Sequence, residues 1–248
     1  MVQEVVTVFL LGHITGDFYL QSSSLAEKKE KSGKTLVLHG VLYLISVAGV
    51  SIIVFGTELL IWCIGISAIH LMLDFIKICV KNKFGSCEGE KISAYLYLTD
   101  QFLHILTILT AGVVINIGDE TYVHTTFIRL LADSFNLDMN RCFSMLLAIM
   151  TVIKPCSITI RVILSGYRIA ENTAGVKNAG ALIGILERLI LLMLLLVGQY
   201  GAIGFVLTAK SVARYNKIAE DPKFGEYYLL GTLLSSMLVI AVYMLILN

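Results

Sequence analysis

LVLHGVLYLISVAGVSIIVF, residues 36–55, runs for twenty positions without one Asp, Glu, Lys or Arg. A helix rises about 1.5 Å per residue, so a stretch of this length matches the roughly 30 Å hydrocarbon core of a bilayer. Such stretches recur along almost the whole chain. At 248 residues, 57% hydrophobic and 15% charged, the protein lies outside the range of ordinary soluble domains. The reading is an all-α, polytopic helical membrane protein with about seven transmembrane segments and no separate soluble domain. Working outward from 36–55, the segments fall near 2–20, 35–55, 59–80, 94–117, 141–164, 181–207 and 228–247. They form a four-helix unit over 1–117, an external loop over 118–140 and a C-terminal membrane region over 141–248.

Charge sets the orientation. Residues 27–34 (EKKEKSGK) and 77–91 are basic, and Arg161, Arg168 and Lys177 mark the end of the fifth segment. Residues 118–140 carry Asp119, Glu120, Asp133 and Asp138 against Arg129 alone. The positive-inside bias puts the N-terminus and the acidic connection outside and the basic connections in the cytoplasm. One stretch conflicts with this. A single crossing by 181–207 leaves Lys210, Arg214, Lys217 and Lys223 outside, whereas a break at Gly198, Gly201 or Gly204 (VGQYGAIGF) near 183–213 returns them inside as a re-entrant hairpin. Both readings stand at this point. Pro155 predicts a kink in the fifth segment. The first segment holds Glu4, His13 and Asp17 and has neither a basic start nor a small-residue cleavage site, so it is expected to remain as a span rather than act as a signal peptide. Cys63, Cys79, Cys87, Cys142 and Cys156 show no CxxC spacing, which argues against a disulfide framework or a thiolate zinc site. A net charge of +1 gives no reason to expect a nucleic-acid partner; membrane lipids are the expected one.

Ionisable groups in apolar spans are costly, and here they are not scattered. HITGDF supplies His13 and Asp17, HLMLDF supplies His70 and Asp74, DQFLH supplies Asp100 and His104, and HGVLY supplies His39 and Tyr43. Each pair is spaced i, i+4, on one helix face. Because the helices alternate in direction, all four offer polar groups at the same two depths near the cytoplasmic side. His13, His70, His104 and Tyr43 form the deeper level; Asp17, Asp74, Asp100 and His39 the shallower. Imidazole and carboxylate together suit a divalent transition metal, zinc first, as one or two ions. The candidate ligands are His13, Asp17, His39, His70, Asp74, Asp100 and His104. The plainer readings are hydrogen-bonding glue between helices and a proton or cation pathway. His124, in the acidic connection without a partner at helical spacing, reads as a solvated loop residue. The repeated HxxxDF suggests that the first two hairpins are a duplicated unit.

These residues carry a resemblance. HxxxDFxLQ at 13–21, the Lys-rich connection, HxxxY at 39–43, HxxxD at 70–74 and DQxLH at 100–104 resemble, in order, a bacterial membrane family known only as domain of unknown function 3307. The likeness covers about residues 5–110 and implies the bacterial inner membrane but no activity. The later LER, GQYGAIGF, AKSVAR and EYYLLGTLLS stretches are similar to a C-terminal extension of some members. More distantly, the HxxxD helices are similar to those of inner-membrane metal-dependent hydrolases, an analogy at the level of fold.

Three functions fit. In the first, the protein is a metal-dependent hydrolase of a lipid ester or lipid phosphate at the cytoplasmic leaflet, with Asp17, Asp74, Asp100 and Tyr43 as catalytic candidates beside the metal ligands. In the second, the same residues are a transit site for a divalent cation or protons. In the third, the protein is a scaffold or sensor. In the C-terminal region, Glu187, Arg188, Lys210, Arg214 and Glu226 either pair with one another or leave Lys210, Ser211 and Arg214 to hold an anionic headgroup.

Overall fold

The computed structural model describes residues 2–30, 32–84, 90–118, 122–167 and 179–248. Lys31, Cys87, Asp119, Glu120, Arg168 and Lys177 lie outside these described residues. Every regular element among them is helical, and six helices are long and apolar enough to cross a membrane. The chain is a multi-pass helical membrane protein. It divides into two compact units, Met1–Leu147 and Ala148–Asn248.

In the first unit, α1 (Val2–Ile14) continues directly into a π-helical stretch, Thr15–Leu20, so the first apolar segment is helical throughout. A short α2 (Ser23–Lys29), capped by the Ser22 hydroxyl on the Leu25 amide, leads to α3 (Gly33–Phe55). Then come α4 (Leu60–Phe84) and α5 (Glu90–Ile117). The four long helices close a ring, α1 on α3, α3 on α4, α4 on α5 and α5 back on α1. Their inner faces lock together through Val5, Val8, Phe9, Val47, Val54, Leu59, Cys63, Ile66, Ile108 and Ile115. Ile45, Ile53, Ile61, Val113 and Ile117 are exposed, as side chains facing lipid would be. Polar residues of the HxxxD and HxxxY motifs interrupt the apolar interior toward one end of the bundle, the end that carries Lys29 and Lys77.

The segment expected as an external loop contains a helix, α6 (Thr126–Phe135), tied to the bundle where the Thr125 amide bonds the Val54 carbonyl at 2.8 Å. His124 is not the solvated, partnerless residue its sequence context suggested. Its Nε2 lies 2.8 Å from Glu4 Oε1, and its ring packs against Phe55 at 5.5 Å and Phe143 at 6.4 Å. The partner sits 120 residues away, which helical spacing could not reveal.

The fifth segment divides at the expected proline into α7 (Met139–Ile153) and α8 (Pro155–Ile163). Proline has no N–H to continue the ladder, so carbonyls at the end of α7 need other donors. Arg188 answers one of them: its Nε donates to the Val152 carbonyl at 2.9 Å, and its Nη2 donates to Ser157 Oγ. Arg188 belongs to α9 (Ala179–Leu196). The chain then turns back at Gly198, with φ at 69°, into α10 (Tyr200–Val212). Gln199 N–H bonds the Leu194 carbonyl and Gly198 N–H the Leu195 carbonyl, the paired bonds of a glycine-terminated helix. Lys210 returns to within 2.5 Å of Glu187, so the hairpin reading of 183–213 holds and the basic connection folds back. After α11 (Tyr215–Glu220), α12 (Pro222–Val242) starts under an Asp221 cap and ends in a further π turn, Tyr243–Leu247. The core here is Ala148, Val152, Cys156, Leu191, Leu192, Leu195, Val239 and Val242. Gly198→Ala is expected to cost about 1 kcal/mol, since a side chain disfavours the left-handed backbone. A lowered midpoint in thermal unfolding would register it, and an unchanged midpoint would refute it.

Candidate metal centre

Depth and spacing bring the first-unit residues together. The π turn at Thr15–Leu20 carries Asp17; isolated π turns inside α-helices occur often at functional sites. His13, His39, Tyr43, His70, Asp74, Asp100 and His104 are all buried, and the four imidazole rings are each at most 2% exposed. At the deeper level, His70 stacks on Tyr43 with ring centroids 3.6 Å apart and lies 4.1 Å from the His104 ring. His13 Nδ1 sits 3.2 Å from the Tyr43 hydroxyl.

At the shallower level four donor atoms converge. His39 Nε2 is 3.2 Å from His70 Nε2, 3.2 Å from Asp17 Oδ1 and 3.3 Å from Asp74 Oδ2. His70 Nε2 is 3.6 Å from Asp17 Oδ1 and 3.5 Å from Asp74 Oδ2. A tetrahedron of ligands at about 2.0–2.2 Å from a zinc ion has edges of about 3.3–3.6 Å. Three of the five distances fall in that range and the other two, at 3.2 Å, lie just below it. Hydrogen bonding accounts for the group less well, because one Nε2–H points in one direction while His39 Nε2 has three neighbours at nearly equal distance. Neutral imidazoles and carboxylates turning lone pairs to a common centre form a donor set for a divalent ion. The residues present fit such an ion.

A second set of groups borders the first. His104 Nε2 is 3.4 Å from Asp100 Oδ1, and Asp74, Asp100 and His104 also offer three ligand atoms within 4.8 Å of one another. So do His13, Asp17 and His70, and His39, His70 and Asp74, so His70 and Asp74 are each common to two groups. Among the described residues, buried His13 Nε2 and His104 Nδ1 have no hydrogen-bond partner, and His104 Nε2 and Asp100 Oδ1 meet at ion-pair distance without hydrogen-bond geometry. Buried polar atoms without partners are uncommon and call for a reason.

Three residues outside the sequence-derived set complete the centre. Lys29 Nζ reaches from α2 to both Asp74 oxygens, at 2.9 and 3.0 Å. Lys77 Nζ lies 2.7 Å from Asp100 Oδ2. Gln101 Nε2 donates to Asp17 Oδ2 at 3.1 Å. Lys77 follows Asp74 by three residues and Gln101 adjoins Asp100, so both had a local signal; Lys29 had none beyond the basic run. Beyond the deeper rings, toward the opposite end, buried Val5, Val8, Val47, Cys63 and Ile108 fill the bundle.

The second unit has charged contacts of its own. Glu187 pairs with Lys210, whose ammonium also donates to Thr232 Oγ1 at 3.3 Å and lies over the Tyr228 ring at 5.3 Å. Ser211 donates to the Leu207 carbonyl of its own helix. Arg214, half-buried, lies over the same Tyr228 ring at 5.8 Å. Lys210 is thus engaged within the fold. Cys63, Cys79, Cys142 and Cys156 are free thiols.

No curated protein and no solved structure matches the chain. A family model does match residues 5–131, which takes in all four helices of the candidate centre and just over half of the sequence, so the chain belongs to the family described as Protein of unknown function (DUF3307).

Proposed function

We propose that this protein is a membrane-embedded, metal-dependent hydrolase of the bacterial inner membrane, acting on a lipid-linked ester or phosphoester at the cytoplasmic leaflet. The observation that supports it is the four-atom donor group of His39, His70, Asp17 and Asp74, with edges of zinc-site length. These four residues would hold a divalent ion, zinc by ligand type. The ion's contribution would be Lewis acidity, which brings the pKa of a water toward neutrality and polarises the scissile oxygen.

The chain's own groups supply the rest. His104 and Asp100, 3.4 Å apart, are placed to take and return a proton. Tyr43 orients His13 through its hydroxyl and fixes His70 by stacking, and Gln101 holds the second oxygen of Asp17. If two ions bind, Asp74 is the carboxylate positioned to serve both. A centre at this depth is reached most readily by a lipid-borne substrate.

The break at Gly198 favours a transport reading, since transporters often bind ligands at broken helices. Against that reading, apolar side chains dominate the first-unit core beyond the deeper rings, and the buried polar side chains there, Thr7, Ser51 and Ser67, carry no charge. Zinc flux into liposomes separates the two. Flux would favour transport, and retained metal without flux would favour hydrolysis.

The direct test is elemental analysis of dialysed protein together with hydrolysis assays on ester and phosphoester lipids. Loss of a general acid or base costs roughly 10²–10⁴ in rate. His104→Ala is therefore expected to keep the ion held by His39, His70, Asp17 and Asp74 while turnover falls by about that factor. Absence of stoichiometric transition metal from the wild type, or wild-type turnover by His104→Ala, would sink the proposal.

A further inference from the structure

The geometry points to a phosphate group, rather than a neutral carboxylic ester, as the part of the substrate held at this centre; the inference rests on the metal reading above. Charge is the first argument. Asp17, Asp74 and Asp100 contribute three negative charges, and Lys29 and Lys77, paired with Asp74 and Asp100, contribute two positive ones. The chamber without an ion is therefore at −1. With the imidazoles neutral, as ligands must be, one divalent ion brings it to +1 and two bring it to +3. A net charge enclosed by low-dielectric walls is expensive unless a counter-charge enters with it. A phosphate monoester supplies that counter-charge, and a carboxylic ester supplies none.

The second argument is the path inward. His70, Asp74, Lys77 and Lys81 follow one another along α4 at intervals of four, three and four residues, so they share one face. Exposure rises along this stripe. The Asp74 side chain is 1% exposed, Lys77 is 23% and Lys81 is 40%. Lys81 is held 2.7 Å from Glu30, and the neighbouring Lys29 reaches down to Asp74. Ammonium groups thus line the way from the surface to the donor atoms, while the opposite side is filled by apolar residues. Each lysine has three N–H donors and uses part of them on its carboxylate, which leaves capacity for phosphate oxygens. Lys29 and Lys77 are assigned as the residues that grip the phosphate.

The test uses the full chain in detergent, dialysed and loaded with zinc, with inorganic phosphate as the calorimetric probe. Expected is phosphate binding by the zinc-loaded protein and none by the metal-free protein. Lys29→Met and Lys77→Met should each weaken phosphate binding by roughly ten- to a hundredfold, the weight of one charge-assisted hydrogen bond. Zinc content should not fall in either variant, since each removes a positive charge beside the ion. Lys29→Arg and Lys77→Arg, which keep the charge, should recover much of the binding and exclude a folding defect. Competition by glycerol 3-phosphate and by phosphatidate in nanodiscs identifies the source. Stronger competition by phosphatidate points to a lipid headgroup and equal competition to a soluble phosphoester, and both support phosphate as the recognised chemistry. Zinc-loaded protein that ignores phosphate, or methionine variants that bind it as the wild type does, overturns the assignment and leaves the metal reading intact. Protein that holds no zinc overturns the metal reading, and this inference with it.

Discussion

His39→Ala is expected to abolish stoichiometric metal binding. His39 Nε2 takes part in three of the five measured edges of the donor group, so its loss removes the vertex through which α1, α3 and α4 are tied together. Loss of a residue that merely orients a ligand costs roughly 10–100-fold in affinity, and loss of the ligand itself should exceed that. Two carboxylates would also lose the imidazole between them, which disfavours the remaining trio even as an incomplete site. Two readouts distinguish lost binding from lost folding. Elemental analysis after dialysis reports zinc per chain. The thermal midpoint with and without added zinc reports linkage, where saturation at a hundred times Kd adds about 2.7 kcal/mol. The wild type should gain stability with zinc, and His39→Ala should melt at one temperature in both conditions. A His39→Ala protein that retains a full equivalent of zinc would show that the convergence of these atoms has another cause.

Much of the centre was legible because its members sit on helices whose spacing is fixed by backbone geometry. HxxxD and HxxxY place two side chains on one face, and alternating helix direction places four such faces at matched depth. What could not be read was the pairing across helices. The sequence groups His13 with Asp17, yet in the structure His39 approaches both Asp17 and Asp74, while His13 turns to the Tyr43 hydroxyl. These contacts depend on how far the helices are rotated about their axes, which no local pattern specifies. Lys29 illustrates the same limit: its partner Asp74 is 45 residues away, and the path of α2 decides whether its ammonium faces water or the centre. His124 misled for the same reason, its partner Glu4 lying at the start of the chain. The hairpin at Gly198 could be framed but not decided from sequence. Three closely spaced glycines permit a reversal, and only the left-handed φ at Gly198 and the return of Lys210 to Glu187 show where it occurs.

The helix separation that holds the centre together makes Gly12 the position where a small change should do the most structural harm. A Cβ at Gly12 would stand 2.7 Å from Val47 Cα, and one at Gly16 would stand 3.0 Å from Tyr43 Cδ2. These glycines flank His13 on the face of α1 that meets α3, and Ser46 Oγ donates to the Gly12 carbonyl at 2.7 Å across the same crossing. The obstacle at Gly12 is backbone, so no rotamer change relieves it; the two helices must part. Gly12→Val is expected to cost at least the roughly 1–3 kcal/mol typical of overpacking. By spreading α1 from α3 it should also weaken zinc binding, although Gly12 has no side chain to offer the metal. Gly65, on α4, has nothing within 4 Å of its Cβ position, so Gly65→Val should leave both properties nearly unchanged. Gly112 lies between these cases. A Cβ there would collide with Val6 Cγ2, a side-chain atom that can rotate away, so Gly112→Ala should cost less than Gly12→Val. Thermal unfolding and zinc titration of the three variants would rank them. Gly12→Val melting with the wild type would mean that α1 and α3 do not approach as closely as the metal geometry requires, and the four-atom donor group would lose its structural basis.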